Sequence, residues 1–189
     1  MNWEDSLSRL KTGNKNYVLD KLEGKFQDSE RRGGLTNGQS PYAIILSCAD
    51  SRVVPELMFD TGLGEIFVIR VAGNVANTST IASIEYAIAH LGTKLIVVMG
   101  HQSCGAVAAA VEGGDAGPNL NRLISYIQPS VNQLGTDADL ADIVKDNAKN
   151  SASTIKEKSQ IISDAMDQNG AKIITAYYHL DSGQVDFDN

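Results

Sequence analysis

Four short apolar runs punctuate this chain, each separated from the next by residues with helical spacing: YAIILSC at 42–48, EIFVIRVA at 65–72, KLIVVMG at 94–100 and AKIITAYYHL at 171–180. Continuous β-branched and aromatic runs of this length, bounded by breakers, read as strands buried on both faces. Parallel neighbours need a long crossover, so strands that alternate with helices predict a parallel sheet. The intervening helices are SIEYAIAHLG at 83–92, stopped by Gly92, and QSCGAVAAAVEGG at 102–114, stopped by Gly113-Gly114. Residues 119–134, broken by Pro129, and 139–169 also read as helical, the second with Val144, Ala148, Ala152, Ile155, Ile162 and Met166 along one stripe. The turn DSGQ followed by VDFD at 185–188 predicts a final hairpin, which adds an antiparallel edge.

Before the first strand, Trp3, Leu7, Leu10 and Tyr17 predict an amphipathic helix over 3–20, and RRGGLTNGQS at 31–40 reads as a polar loop. The expected architecture is therefore α/β: a mostly parallel β-sheet with an antiparallel edge strand, flanked by helices. It forms one domain over 1–189, with an N-terminal helical arm over 1–35 and a sheet core over 41–189. The helix at 3–20 has no obvious surface of its own to cover, which leads to the expectation of at least a homodimer.

Composition excludes several roles. Hydrophobic residues make up 42% of the 189 and charged residues 21%, enough for a packed core. The net charge is −7, and Lys and Arg do not cluster beyond Arg31-Arg32, so neither nucleic acid nor an anionic membrane is an expected partner. No apolar run approaches a bilayer span. The start, MNWEDSLSRL, is not a secretory signal, though whether a transit peptide is removed stays open. Two cysteines are too few for a disulfide scaffold and point to a reducing, cytoplasmic setting.

In sheets of this kind ligands sit at the carboxyl ends of strands. Two such ends carry chemistry here. Cys48 follows the first strand, with Asp50 and Arg52 two and four residues on; His101 follows the third, with Cys104 three residues later at a helix start. Two thiolates and an imidazole suit zinc, and three protein ligands leave the fourth position open, as a catalytic site needs. Taken alone, a buried free cysteine is more often a packing residue than a ligand. Asp50 and Arg52 alone would read as a turn with an ion pair.

The segments SCADSRVVPELMF, GEIFVIRVAGNVA and MGHQSCGAV resemble the zinc-site motifs of the beta-class carbonic anhydrases. The likeness runs from LKTGNKNYV near the start to AYYHLDSGQVDF at the end. It implies one zinc ion per chain, bound by Cys48, His101 and Cys104, and reversible hydration of carbon dioxide to bicarbonate by zinc-bound hydroxide. Asp50 and Arg52 would be the dyad that orients the hydroxide. It also implies a substrate pocket of the plant-type subgroup from Gln39, Phe67 and Tyr86, a proton relay at His90, and a homodimer or higher assembly with active sites at the subunit interface and N-terminal helices embracing the partner. The stretch between Phe67 and Tyr86 is shorter than in that subgroup. Members with a regulatory bicarbonate pocket carry tryptophan where Ile45 stands, although Arg70 matches its arginine; the expectation is an open site in which water, rather than Asp50, completes the zinc sphere at neutral pH. Three other readings remain: hydrolysis of carbonyl sulfide or carbon disulfide at the same site, a non-catalytic zinc- or bicarbonate-binding homologue, and a thiol redox role.

Overall fold

A computed structural model describes residues 1–188. In chain order the elements are α1 (Trp3–Val18), α2 (Ser29–Gly34), β1 (Ala43–Ser47), α3 (Pro55–Met58), β2 (Ile66–Arg70), a short 3-10 turn (Ala72–Asn74), α4 (Thr78–Leu91), β3 (Leu95–His101), α5 (Gly105–Glu112) and α6 (Pro118–Ile124). They are followed by α7 (Gln128–Leu134), α8 (Leu140–Lys158), α9 (Gln160–Gln168), β4 (Lys172–Tyr178) and β5 (Val185–Asp188). The sheet order is β2-β1-β3-β4-β5. The first four strands run parallel and β5 pairs antiparallel with β4, as the apolar runs and terminal hairpin predict.

β1 and β3 lie at the centre and every residue in them is buried. Because side chains alternate across a strand, Ala43 and Ile45 join Val97 and Met99 under α1, on one face. Ile44 and Leu46 join Ile96 and Val98 on the other, under Ile81, Ile84 and Ala87 of α4, Ala148 and Ile155 of α8, and Ile162 of α9. A third cluster fills the carboxyl end of the sheet, where Val107 of α5, Val131 of α7, and Ile143 and Val144 of α8 surround Cys48 and Cys104. α8 passes so close to β3 that a Cβ on Gly100 would meet the Val144 Cγ1 at 2.6 Å; only glycine lets the two elements touch there.

Several expectations are corrected. α1 is not a free arm: Leu7 and Leu10 are buried against the chain's own sheet. Its Asn14 amide donates to Met58 O and Gly183 O while its oxygen accepts from Val185 N. The uncovered-helix argument for a dimer therefore falls. The polar segment 31–40 begins inside α2, which Asp28 caps by accepting from Arg31 N. The helix before β3 starts five residues early, at Thr78, because Asn77 and Thr80 form a reciprocal capping box. Pro129 sits in the first turn of α7, where its missing N–H costs no helical hydrogen bond. The stripe over 139–169 is two helices; Ser159 separates them, caps α9 through Ile162 N, and donates its hydroxyl to Glu85. No helix among the described residues is long and apolar enough to cross a membrane.

Candidate metal centre

The register of the sheet sets two loops side by side. Ser47, the last residue of β1, lies opposite Met99 of β3. The loop after β1 therefore reaches the same height as His101, which is the last residue of β3 rather than the first beyond it. Cys104 stands immediately before α5, as its N-cap. One ligating atom each from Cys48, His101 and Cys104 falls within 4.8 Å of the others, and all three residues are buried.

The donor set fits zinc on two observations. A tetrahedral sphere with bonds of about 2.0–2.3 Å spaces its ligands by roughly 3.5 Å, inside the spread found here. His101 Nδ1 lies 2.9 Å from Gln102 O. Donation from Nδ1–H to that carbonyl leaves Nε2 with its lone pair free, and Nε2 is buried with no hydrogen-bond partner. An orphaned acceptor in a dry site is costly unless something occupies it. Zinc would satisfy it.

The two sulfurs are electrostatically unequal. Hydrogen bonding from Cys104 pushes the Cys48 thiol down to about 4, helped by His101 and by backbone N–H groups of Gly73 and Asp50. Cys104, as the proton holder of the pair and deeply buried, is pushed up, against the N–H groups of Ala106 and Val107 at the start of α5. The pair thus holds one proton between two sulfurs until a cation displaces it.

Asp50 stands at the mouth of this cradle, with Oδ2 3.9 Å from His101 Nε2. Arg52 grips it through both oxygens, Nε to Oδ1 at 3.0 Å and Nη2 to Oδ2 at 2.7 Å. The Arg52 backbone N–H adds a bond at 2.9 Å. These hydrogen bonds hold the Asp50 carboxyl well below the usual carboxylate range; a lysine could not offer the two-pronged fork. Arg52 Nη2 also reaches Ser103 O, so it ties the two loops together. Arg70, at the end of β2, donates to Cys48 O and Asp50 O. Ile45 lies buried in β1.

Gln39, Phe67, Tyr86 and His90 gather elsewhere. Phe67 and Tyr86 rings are 6.4 Å apart, and Tyr86 and His90 rings 5.1 Å. Gln39 and Tyr86 line a cavity of about 480 Å³ with Leu35, Leu63 and Leu91; no residue of the cradle lines it. Gln39 precedes β1 and Cys48 follows it, and a five-residue strand separates its ends by roughly 13 Å. This cluster borders β2, the edge strand whose residues are half-buried or exposed.

Three residues around the cradle carry no sequence signal. Gln102 accepts from Leu180 N and Asp181 N through its Oε1, which fixes the loop to the β4–β5 turn. Gly73 donates its N–H to Cys48 Sγ at 3.4 Å, and Asn147 donates to Gly73 O at 2.8 Å. Each partnership joins elements remote in the chain, so no local spacing announces it.

The carbonic anhydrase family model matches residues 43–185. Carbonic anhydrase 2 of Mycobacterium tuberculosis is 37% identical over 182 residues, covering 93% of this chain and 87% of that protein. The Coccomyxa beta-carbonic anhydrase in complex with acetazolamide superposes with a TM-score of 0.73 at 27% identity, over 95% of this chain and 85% of that one. One of two tetrameric beta-carbonic anhydrases from Sordaria macrospora shares the fold, with a TM-score of 0.77 at 23% identity over 97% and 96% of the two chains. With the motif residues gathered at the carboxyl end of the sheet and likeness across nearly its whole length, the chain belongs to the beta-carbonic anhydrase family.

Proposed function

We propose that this protein catalyses the reversible hydration of carbon dioxide to bicarbonate and a proton, with zinc held by Cys48, His101 and Cys104. The observation that carries the reading is the buried cradle of two sulfurs and an imidazole with an arginine-fixed carboxylate at its mouth. Zinc in such a site supplies a Lewis acid that lowers the pKa of water and provides a nucleophile near neutral pH.

The chain's own groups do the rest. Asp50, kept ionised by Arg52, is an acceptor only; it takes a hydrogen bond from the attacking oxygen and aims the oxygen's lone pair at the substrate carbon. Both carboxylate oxygens are already engaged by Arg52, which favours the dyad over ligation of the metal by Asp50 and hence an open site at neutral pH. One proton is left over per turnover and passes to buffer. His90, exposed on α4 against Tyr86, is the relay in this reading.

Gln39, Phe67 and Tyr86 supply an apolar pocket with one amide donor, suited to a small uncharged molecule. Within one chain they lie away from the cradle, so in this reading they line the site of a second copy docked along β2. An unpaired apolar edge strand is a surface that soluble proteins cover. Two free thiols suit a reducing, cytoplasmic setting.

Stopped-flow hydration of carbon dioxide by zinc-loaded protein, beside Asp50→Asn, tests this. The wild type hydrates carbon dioxide near neutral pH, and Asp50→Asn keeps its zinc but loses about 10²–10⁴-fold in rate. Zinc-loaded wild type that fails to hydrate carbon dioxide at any pH overturns the function; a variant as fast as wild type overturns the dyad.

A further inference from the structure

We infer that Asn147, on α8, is a positioning residue that sets the donor strength of the Cys48 sulfur by holding the backbone of Gly73; this rests on Cys48 being a zinc ligand.

Gly73 is pinned at both ends. Its N–H points at Cys48 Sγ at 3.4 Å, and its carbonyl accepts from the Asn147 side-chain amide at 2.8 Å. Gly73 has φ +69° and Asn74, which follows it, has φ +45°; glycine adopts this region freely, and the Asn147 bond fixes which way its carbonyl faces. A side chain at Gly73 would be strained by this φ and would have to push Ile127 Cδ1 aside, 2.7 Å from where its Cβ would stand. Both asparagines are fully buried. A buried amide needs its hydrogen bonds, yet Asn147 spends its NH₂ on this one carbonyl and leaves its oxygen without a partner. A leucine would fill the same space but would leave the buried Gly73 carbonyl without its donor, so the asparagine is kept for the hold it has on that carbonyl.

The chemistry of the donor set explains it. Two thiolates neutralise a divalent cation and weaken it as a Lewis acid. An N–H···S bond draws electron density from the sulfur and restores part of that acidity, as outer hydrogen bonds do around other metal ligands. Asn147 is far along the chain from Cys48 and touches no ligand itself. It acts through the backbone of one residue, Gly73.

The test uses full-length protein loaded with cobalt(II), whose sulfur-to-metal charge-transfer bands report thiolate donor strength. Those bands in the wild type establish thiolate ligation; their absence removes the metal reading on which this inference rests. Asn147→Leu and Asn147→Ala are expected to shift the bands to lower energy as Cys48 loses its N–H···S bond and, because the Gly73 backbone is no longer held against the cradle, to weaken zinc, read by chelator competition, by about 10–100-fold. Folded variants with unshifted bands and unchanged zinc affinity overturn the role. A second measurement needs no variant: in cadmium-113-loaded, nitrogen-15- and carbon-13-labelled wild type, scalar coupling is expected from the metal to the Gly73 amide proton and from the Asn147 side-chain nitrogen to the Gly73 carbonyl carbon. Absence of either coupling also overturns the inference.

Discussion

The cradle at the carboxyl ends of β1 and β3 and the aromatic cluster along β2 are finished to different degrees. Cys48 and Cys104 are buried among Val107, Ile127, Val131 and Ile143 and His101 is buried beside them; Arg52 ties the two loops together, and Arg70 braces the Cys48 loop from β2. Along β2, Phe67 is half-buried, Tyr86 remains 49% exposed, and among the described residues no strand pairs with the outer edge. Charge-bearing ligands must be fixed by short hydrogen bonds inside a dry core. An apolar pocket needs only surfaces brought into contact, and a second copy can provide them.

The sharpest way to break this comparison is at the cradle itself. Cys48→Ser removes a ligand whose loss leaves His101 and Cys104 alone, and zinc content is expected to fall from one per chain to near none by atomic absorption, with hydration lost alongside. A variant that retained full zinc would show that the cradle is not the metal site.

A smaller effect is expected at the edge. Tyr86→Glu places a charge on the exposed rim while leaving the core intact. Light scattering is expected to show dissociation toward monomer, with zinc still bound and hydration reduced about 10²–10³-fold. Loss of zinc in that variant would mean that the two regions are not separable.

The mildest test concerns protons. Their mutual hydrogen bond pushes the Cys48 thiol down and the Cys104 thiol up, so the free pair shares one proton between its two sulfurs. Zinc must displace the proton on Cys104, so binding is expected to release about one proton from the sulfur pair. Affinity then rises with pH, because the proton competes for the thiolate. Calorimetry in buffers of different ionisation enthalpy measures the count. Zero release near pH 7 would contradict the shared-proton arrangement.

The same division explains what the sequence discloses. Buried parallel strands announce themselves as uninterrupted apolar runs, so AIILS and LIVVMGH are legible, and so are the ligands fixed immediately beyond or at their ends. Asp50 and Arg52 are legible because their pairing spans two residues. Helix ends set by side chains are harder: Asn77 starts α4 early, and Ser159 splits a stripe whose periodicity runs on across the break. The seat of α1 is not legible at all. An amphipathic pattern says that Leu7 and Leu10 are covered, but not by which sheet. The links from Gln102 to Leu180 and from Asn147 through Gly73 to Cys48 join residues remote in sequence and exist only once the sheet has formed.

The central claim, that the metal centre is complete in each chain while its substrate pocket is shared, is tested most directly by a mixed dimer. Cys48→Ser and Gln39→Ala chains, carrying different tags, are co-expressed and the mixed species is isolated. Each parent homodimer is expected to be nearly inactive. If each site draws its metal from one copy and its pocket from the other, the mixed dimer contains one site with both parts intact and recovers about half the wild-type hydration rate. A mixed dimer as inactive as its parents would contradict the account, because it would mean that Gln39 serves the metal of its own chain.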